Sequence, residues 1–235
     1  MADFLIARIH EHLFESRSKV KPGSNLPEPF TYKEYSRMPR IPLPPPAINA
    51  SLSQVFASRR SSNHPQKSAP LSLQTLSDIL SGLAIRMDSS RPYPSGGALY
   101  PIETYIVGSV EDRAPGVFHY HPSAHTLEDL WPIPKVAAIQ DMFIPASTDE
   151  PPPGTLVFTA QWRKTAPKYG EFAYILALIE AGHMAQNVLL AAASAGVAAR
   201  PVAGLNQKIV ESILDIDSPR EQPIYSIKLW GQIAP

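Results

Sequence analysis

The sequence predicts an α+β fold in a single domain, residues 1–235, with helices packed on a mainly antiparallel sheet. Three observations lead there. Helical and strand-like patterns alternate without the regular βαβ rhythm of a doubly wound sheet. The segments "GVFHYH" (Gly116 to His121) and "HTLEDLW" (His125 to Trp131) form a hairpin pair around the turn residues Pro122 and Ser123. A stretch from about Gly170 to Ala195 is apolar almost all round, which predicts a helix at the centre of the structure or in a subunit interface.

The other elements follow in order. Residues 3–18 place Phe4, Leu5, Ile9, Leu13 and Phe14 on one helical stripe. From Pro22 to Ala50 the chain is rich in proline and has no period, too long for an ordinary loop. Its Phe30, Tyr32, Tyr35, Met38, Ile41 and Leu43 favour an arm wrapped over a surface, so residues 1–50 read as a helix followed by a wrapping arm. Short helices are predicted from Ser51 to Ser58 and after Ser72, a plausible N-cap with Leu73, Leu76, Ile79 and Leu80 inward. Strands follow at Glu103 to Val107 and Gly154 to Trp162. A last helix is expected from Asn206 to Leu214, and a last strand from Pro223 to Gly231.

Composition limits the chemistry. The 21 basic and 21 acidic residues balance, which argues against nucleic acid or an anionic membrane as the main partner. The absence of cysteine excludes disulfides, thiolate nucleophiles and iron–sulfur clusters. Redox chemistry would need a bound organic cofactor, or a metal held by His and carboxylates. Asp3, Arg8, Glu11, Glu15 and Arg17 break up the first twenty residues, so a soluble cytoplasmic protein is expected.

Several motifs can carry function. In "SRRSSN" (Ser58 to Asn63), two arginines beside hydroxyls can hold a phosphate, or form a solvated basic turn. "PSGGALYP" (Pro94 to Pro101) either shapes a turn with positive-φ glycines or offers backbone N–H groups and Ser95 to a ligand. "RKTAPKYGE" sets Lys164, Lys168 and Tyr169 before the apolar helix, where a lysine either serves as a base or solvates the helix entrance. Gly204 either makes a turn or lets backbone approach a flat ligand. His119 and His121 share a strand face with no third metal ligand evident, so no metal site is expected; His183 reads as a hydrogen-bonded core histidine.

In their order along the chain, these pieces resemble the SagB-type dehydrogenases, the azoline oxidases of the nitroreductase superfamily. The resemblance extends from about Pro39 to Gly231, and its most specific parts are "PSGGALYPIE", "KYGE" and "EAGHMAQN". It implies a nitroreductase-like fold and an intertwined homodimer binding FMN at its interface. It places Arg59, Arg60 and Ser61 on the flavin phosphate and ribityl chain. It brings Ser95, Gly96, Gly97 and Leu99 to the flavin of the partner subunit, where the glycines would avoid a collision with it. It sets Val202, Ala203 and Gly204 beside the isoalloxazine ring. Asn63 departs from the basic residue the superfamily often carries there, which removes a phosphate contact.

The resemblance further implies that Lys168 and Tyr169 are catalytic in oxidising thiazoline or oxazoline rings to thiazoles or oxazoles, on a peptide or carrier-bound intermediate. Dioxygen would take the electrons, and biosynthetic partner enzymes would accompany the protein. Two other readings stand beside this one: an NAD(P)H-dependent nitro or quinone reductase, and a flavin-binding structural subunit of a modifying complex.

Overall fold

A computed structural model describes residues 2–18, 32–62, 70–111, 113–133, 137–144 and 151–232. Phe30 and Asn63 lie outside these, as does the part of the arm up to Thr31. The elements are α1 (Ala2–Ser18), β1 (Arg40–Pro42), α2 (Leu52–Ser58), α3 (Leu73–Leu80), β2 (Ile102–Gly108), β3 (Gly116–His121), β4 (Thr126–Pro132), α4 (Ala137–Gln140), β5 (Gly154–Gln161), α5 (Trp162–Tyr169), α6 (Ala173–Ser194), β6 (Val197–Val202), α7 (Gln207–Leu214) and β7 (Glu221–Gln232). The seven strands form one sheet in the order β1-β4-β3-β2-β5-β7-β6, and every ladder is antiparallel.

The pleat of central β2 explains the layering. Ile102 and Ile106 pack into one apolar cluster with Leu76, Ile79 and Leu80 of α3 and Met184 and Val188 of α6. Tyr105 and Val107 point the other way, into a cluster with Val210 and Leu214 of α7. Alternate residues thus bury on opposite faces, and the whole strand is sequestered. The short helices start where capping chemistry dictates. Ser72 Oγ accepts from Thr75 N at 3.0 Å, and Ser51 and Gln54 form a reciprocal capping box.

Helix α6 presents Ala177, Ala181, Ala185 and Ala192 to the core, and these small side chains let it lie close to its neighbours. Its other side leaves Tyr174, Leu178 and Ile179 at 47%, 38% and 50% exposure. The apolar residues that the sequence placed all round the helix therefore divide between a core face and a free face. The described part of the arm is docked. Lys33 donates to Glu221 Oε2 at 2.7 Å and to the Tyr105 hydroxyl, while Ile41 and Leu43 are buried.

Four local readings change. Residues 162–169 form a helix of their own, α5, although Pro167 within it argues against one. Of the three residues set beside the flavin ring, Val202 ends strand β6 and only Ala203 and Gly204 lie beyond it. His183 is exposed on α6 and belongs to no core. The hairpin histidines do have further ligand types nearby: Glu34 and Glu128 reach within 4.8 Å of His121, but Arg40 already pairs with both carboxylates.

Candidate functional site

The structure gathers the candidate residues into two groups. The first sits on the edge of the sheet. Ser61 bridges Ala199 in parallel, and Ser62 N donates to Ala199 O at 3.0 Å, so Arg59, Arg60 and Ser61 run beside β6. That strand delivers Val202, and then Ala203 and Gly204, both exposed. Arg60 and Ser61 are exposed and Arg59 is half-buried. Two guanidinium groups and a hydroxyl on an accessible edge form a donor set that suits a phosphate monoester.

Gly204 has a reason for being glycine within the chain. A Cβ there would meet the carbonyl oxygen of Ile144 at 2.6 Å, and Ile144 N donates to Gly204 O at 2.9 Å. The close backbone approach is made to the loop after α4.

The second group forms where the glycine loop meets the end of α5. Gly97 has φ +65°, and Ala98 (+55°) and Tyr100 (+46°) are also left-handed. Three such residues in four concentrate backbone strain, which persists only where surrounding contacts over-determine the loop. A Cβ on Gly97 would sit 2.5 Å from Tyr169 Oη and 2.7 Å from Lys168 Nζ. Both catalytic candidates thus aim their polar tips at one point beside the loop. At Gly96 a Cβ would press on the Leu176 side chain at 3.0 Å. Within the chain itself, the space these glycines leave is bordered by Tyr169, Lys168 and Leu176. Leu99 closes the 3₁₀ turn Gly96–Ala98 and is half-buried.

A buried polar network supports this corner. Lys164, one turn before Lys168 on α5, donates to Glu103 Oε1 at 2.7 Å. Its charge is therefore matched by a carboxylate and is not a free charge facing Lys168. Burial disfavours ionised Glu103, but the bond from His119 and the charge of Lys164 outweigh it and hold the carboxyl down at about 2. His119 lies fully buried between Glu103 and Glu128. Burial opposes its charge, and the two carboxylates overcome that and raise it.

Two residues of the site were not singled out from sequence. Ser95 Oγ bonds to Glu180 of α6 and accepts from Tyr100 N at 2.9 Å. Glu180 is 2% exposed, and burial raises its carboxyl to about 7. Arg91, also buried, donates to Tyr93 Oη at 2.6 Å and lies 4.4 Å over the Tyr100 ring. The legible signal for Glu180 was a lone acid in a mostly apolar helix, since a buried charge needs a reason.

Comparison with known proteins identifies the family of the fold. The nitroreductase family profile matches residues 57–231. The chain is 32% identical over 175 residues to MJ1384 of Methanocaldococcus jannaschii, a nitroreductase by name, covering 71% of this chain and 84% of that protein. It is 29% identical to the microcin B17-processing protein McbC of Escherichia coli and 28% identical to the trifolitoxin-processing protein TfxB of Rhizobium leguminosarum. These matches take in 69% and 63% of this chain, and only 63% and 44% of those two proteins. Among solved structures, a nitroreductase-type protein from Ralstonia eutropha superposes with TM-score 0.69 at 24% identity, over 83% of this chain and 90% of that one. A chain of the E. coli microcin synthetase McbBCD complex, solved with truncated pro-MccB17 bound, superposes with TM-score 0.63 at 23% identity, over 99% of this chain and 94% of that one. At these identities the superpositions establish the fold. With the profile match spanning most of the chain, from α2 through β7, the protein belongs to the nitroreductase family.

Proposed function

We propose that this protein oxidises thiazoline or oxazoline rings in a peptide or carrier-bound intermediate, using FMN. One observation carries the reading: the tips of Lys168 and Tyr169 converge beside the strained glycine loop, each within 2.7 Å of the point where a Gly97 Cβ would lie. Both side chains are half-buried, so they are held but reachable. A phosphate-binding edge alone would suit any flavoprotein; a paired amine and phenol at a second place suits proton transfer. The similarity to McbC and TfxB, both named for peptide processing, supports the same reading.

The Arg59–Arg60–Ser61 edge would bind the FMN phosphate, and the exposed backbone of Ala203 and Gly204 would lie along the ring. When bound, the flavin supplies the acceptor for two electrons and the ring Cβ hydrogen. Lys168 or Tyr169 takes the Cα proton, which the adjacent imine and carbonyl make acidic. The substrate loses both hydrogens and gains an aromatic ring, and dioxygen is the final electron acceptor.

Two copies of the chain would assemble this site. The outer face of α6, with Tyr174, Leu178 and Ile179, and helix α2, where Leu52 and Phe56 are 62% and 61% exposed, both carry apolar surface. This apolar surface fits a homodimer in which one chain's arginine edge meets its partner's glycine loop. The protein is read as cytoplasmic.

The test uses purified protein with flavin content measured by absorbance. Conversion of a synthetic thiazoline under oxygen, without NADPH, supports the proposal. Flavin reduction by NADPH with turnover of a nitroarene or quinone, and no azoline oxidation, overturns it.

A further inference from the structure

The glycine loop is strained, and what holds it down comes from one face of α6. Two polar side chains of the "EAGHMAQN" segment, two helical turns apart, reach the same stretch of chain. Asn187 Nδ2 donates to Pro92 O at 3.0 Å and to Gly82 O at 3.1 Å. Glu180 bonds to Ser95 Oγ, which in turn accepts from Tyr100 N across the three intervening loop residues and Leu99. Glu180 Oε1 has no hydrogen-bond partner among the described residues, although the atom is fully buried. A carboxyl left half-satisfied in the core is costly and is kept where it performs a task.

We propose that Glu180 is the positioning residue of the glycine loop. Through Ser95 it fixes the segment from Ser95 to Tyr100, and so the backbone at Gly97 against which Lys168 and Tyr169 are set. The proposal rests on the azoline-oxidation reading only for what the loop does, not for how it is held.

The latch is linked to protonation. The groups facing Glu180 are the Ser95 hydroxyl and Arg91 of the loop segment, Lys164 of α5, the Ile102 backbone at the start of β2, and the Tyr93 phenol. The favourable ones do not offset burial, so the carboxyl is neutral with the loop closed, up to about pH 7. Opening the loop admits water, and the carboxyl then ionises in its ordinary range. The closed state therefore binds a proton that the open state does not. Closure weakens as pH rises from about 4.5 through about 7 and is level above that.

Hydrogen exchange at the loop amides, above all Tyr100 N–H, tests this without substrate. Rates are corrected for intrinsic chemical exchange. In the parent protein, protection of residues 95–100 should fall by about tenfold or more between pH 5.5 and 7.5. Glu180→Gln, which still accepts from Ser95 but does not ionise, should keep the protection and lose its pH dependence. Ser95→Ala, at the half-buried end of the loop, should lose the protection while the core amides of β2 and β5 stay protected. Protection unchanged in Ser95→Ala, or a pH dependence that survives in Glu180→Gln, overturns the proposal. Activity on a thiazoline is measured separately, so failure of the azoline reading leaves this result readable, and the reverse.

Discussion

Tyr169 Oη occupies the place where any side chain on Gly97 would begin: a Cβ there would lie 2.5 Å from it, with Lys168 Nζ at 2.7 Å. The glycine loop and the end of α5 are therefore fitted to each other. Sequence separates them by about seventy positions, yet they make one corner.

That fit predicts a specific outcome for Gly97→Ala. The colliding atoms are the tips of two flexible side chains, which can swing away. The fold should therefore lose only the left-handed backbone preference, about 1–2 kcal/mol. The melting temperature should fall by a few degrees. Azoline oxidation should fall by about tenfold or more, because both displaced tips are the proposed proton acceptors. Gly196→Ala makes the control, since that glycine is also left-handed (φ +67°) but its Cβ would meet nothing within 4 Å. Parent-level activity in Gly97→Ala would detach the loop from the chemistry.

Lys168→Ala and Tyr169→Phe should keep FMN and lose azoline oxidation by about a hundredfold, as removal of a general acid–base group does. Both residues lie apart from the arginine edge assigned to the phosphate, so binding and turnover should separate. Flavin absorbance on the same samples guards against cofactor loss. Equal rates in all three proteins at equal flavin content would make the pair a helix-entry feature.

Much of this layout was legible. The succession of helices and strands, the Ser72 cap and the order of motifs each depend on local chemistry, and local chemistry is written in neighbouring residues. What sequence could not show was reach. Glu103 and His119 read as ordinary strand residues, and only the register of β2 against β3 puts them beside each other and under Lys164. Helix α5 was missed because Pro167 signals a break, whereas the surrounding packing tolerates it. His183 was misplaced because an apolar helix gives no mark of which side will be free.

Glu103→Gln should destabilise the fold by about 3 kcal/mol at neutral pH, since it leaves the charge of Lys164 without its carboxylate and His119 with Glu128 alone. The sign with pH follows from the depressed carboxyl. Its contribution is complete above about 4.5, the ordinary range of a free glutamate, and is lost as pH falls through about 2. Melting curves of parent and variant should accordingly differ most near neutrality and converge in strong acid. A constant gap down to pH 2 would mean that the pairing contributes little and the loss comes from packing.

The outer face of α6 carries the last prediction. Ile179 is 50% exposed beside Leu178 and Tyr174, a run of apolar surface that an isolated chain has no use for. If a second copy covers it, a charge there must be desolvated on association, at a cost of several kcal/mol without a partner. Ile179→Lys should therefore shift the protein from dimer to monomer in sedimentation velocity. Its fold should stay intact, because the inner face of the helix, Ala177, Ala181 and Ala185, is untouched. Flavin should leave with the dimer if the arginine edge of one chain and the glycine loop of the other share one ligand. A monomeric variant that stays fully yellow would show that a single chain holds the whole flavin site. A variant that remains dimeric at micromolar concentration would move the interface elsewhere, with the exposed Leu52 and Phe56 of α2 the next surface to charge.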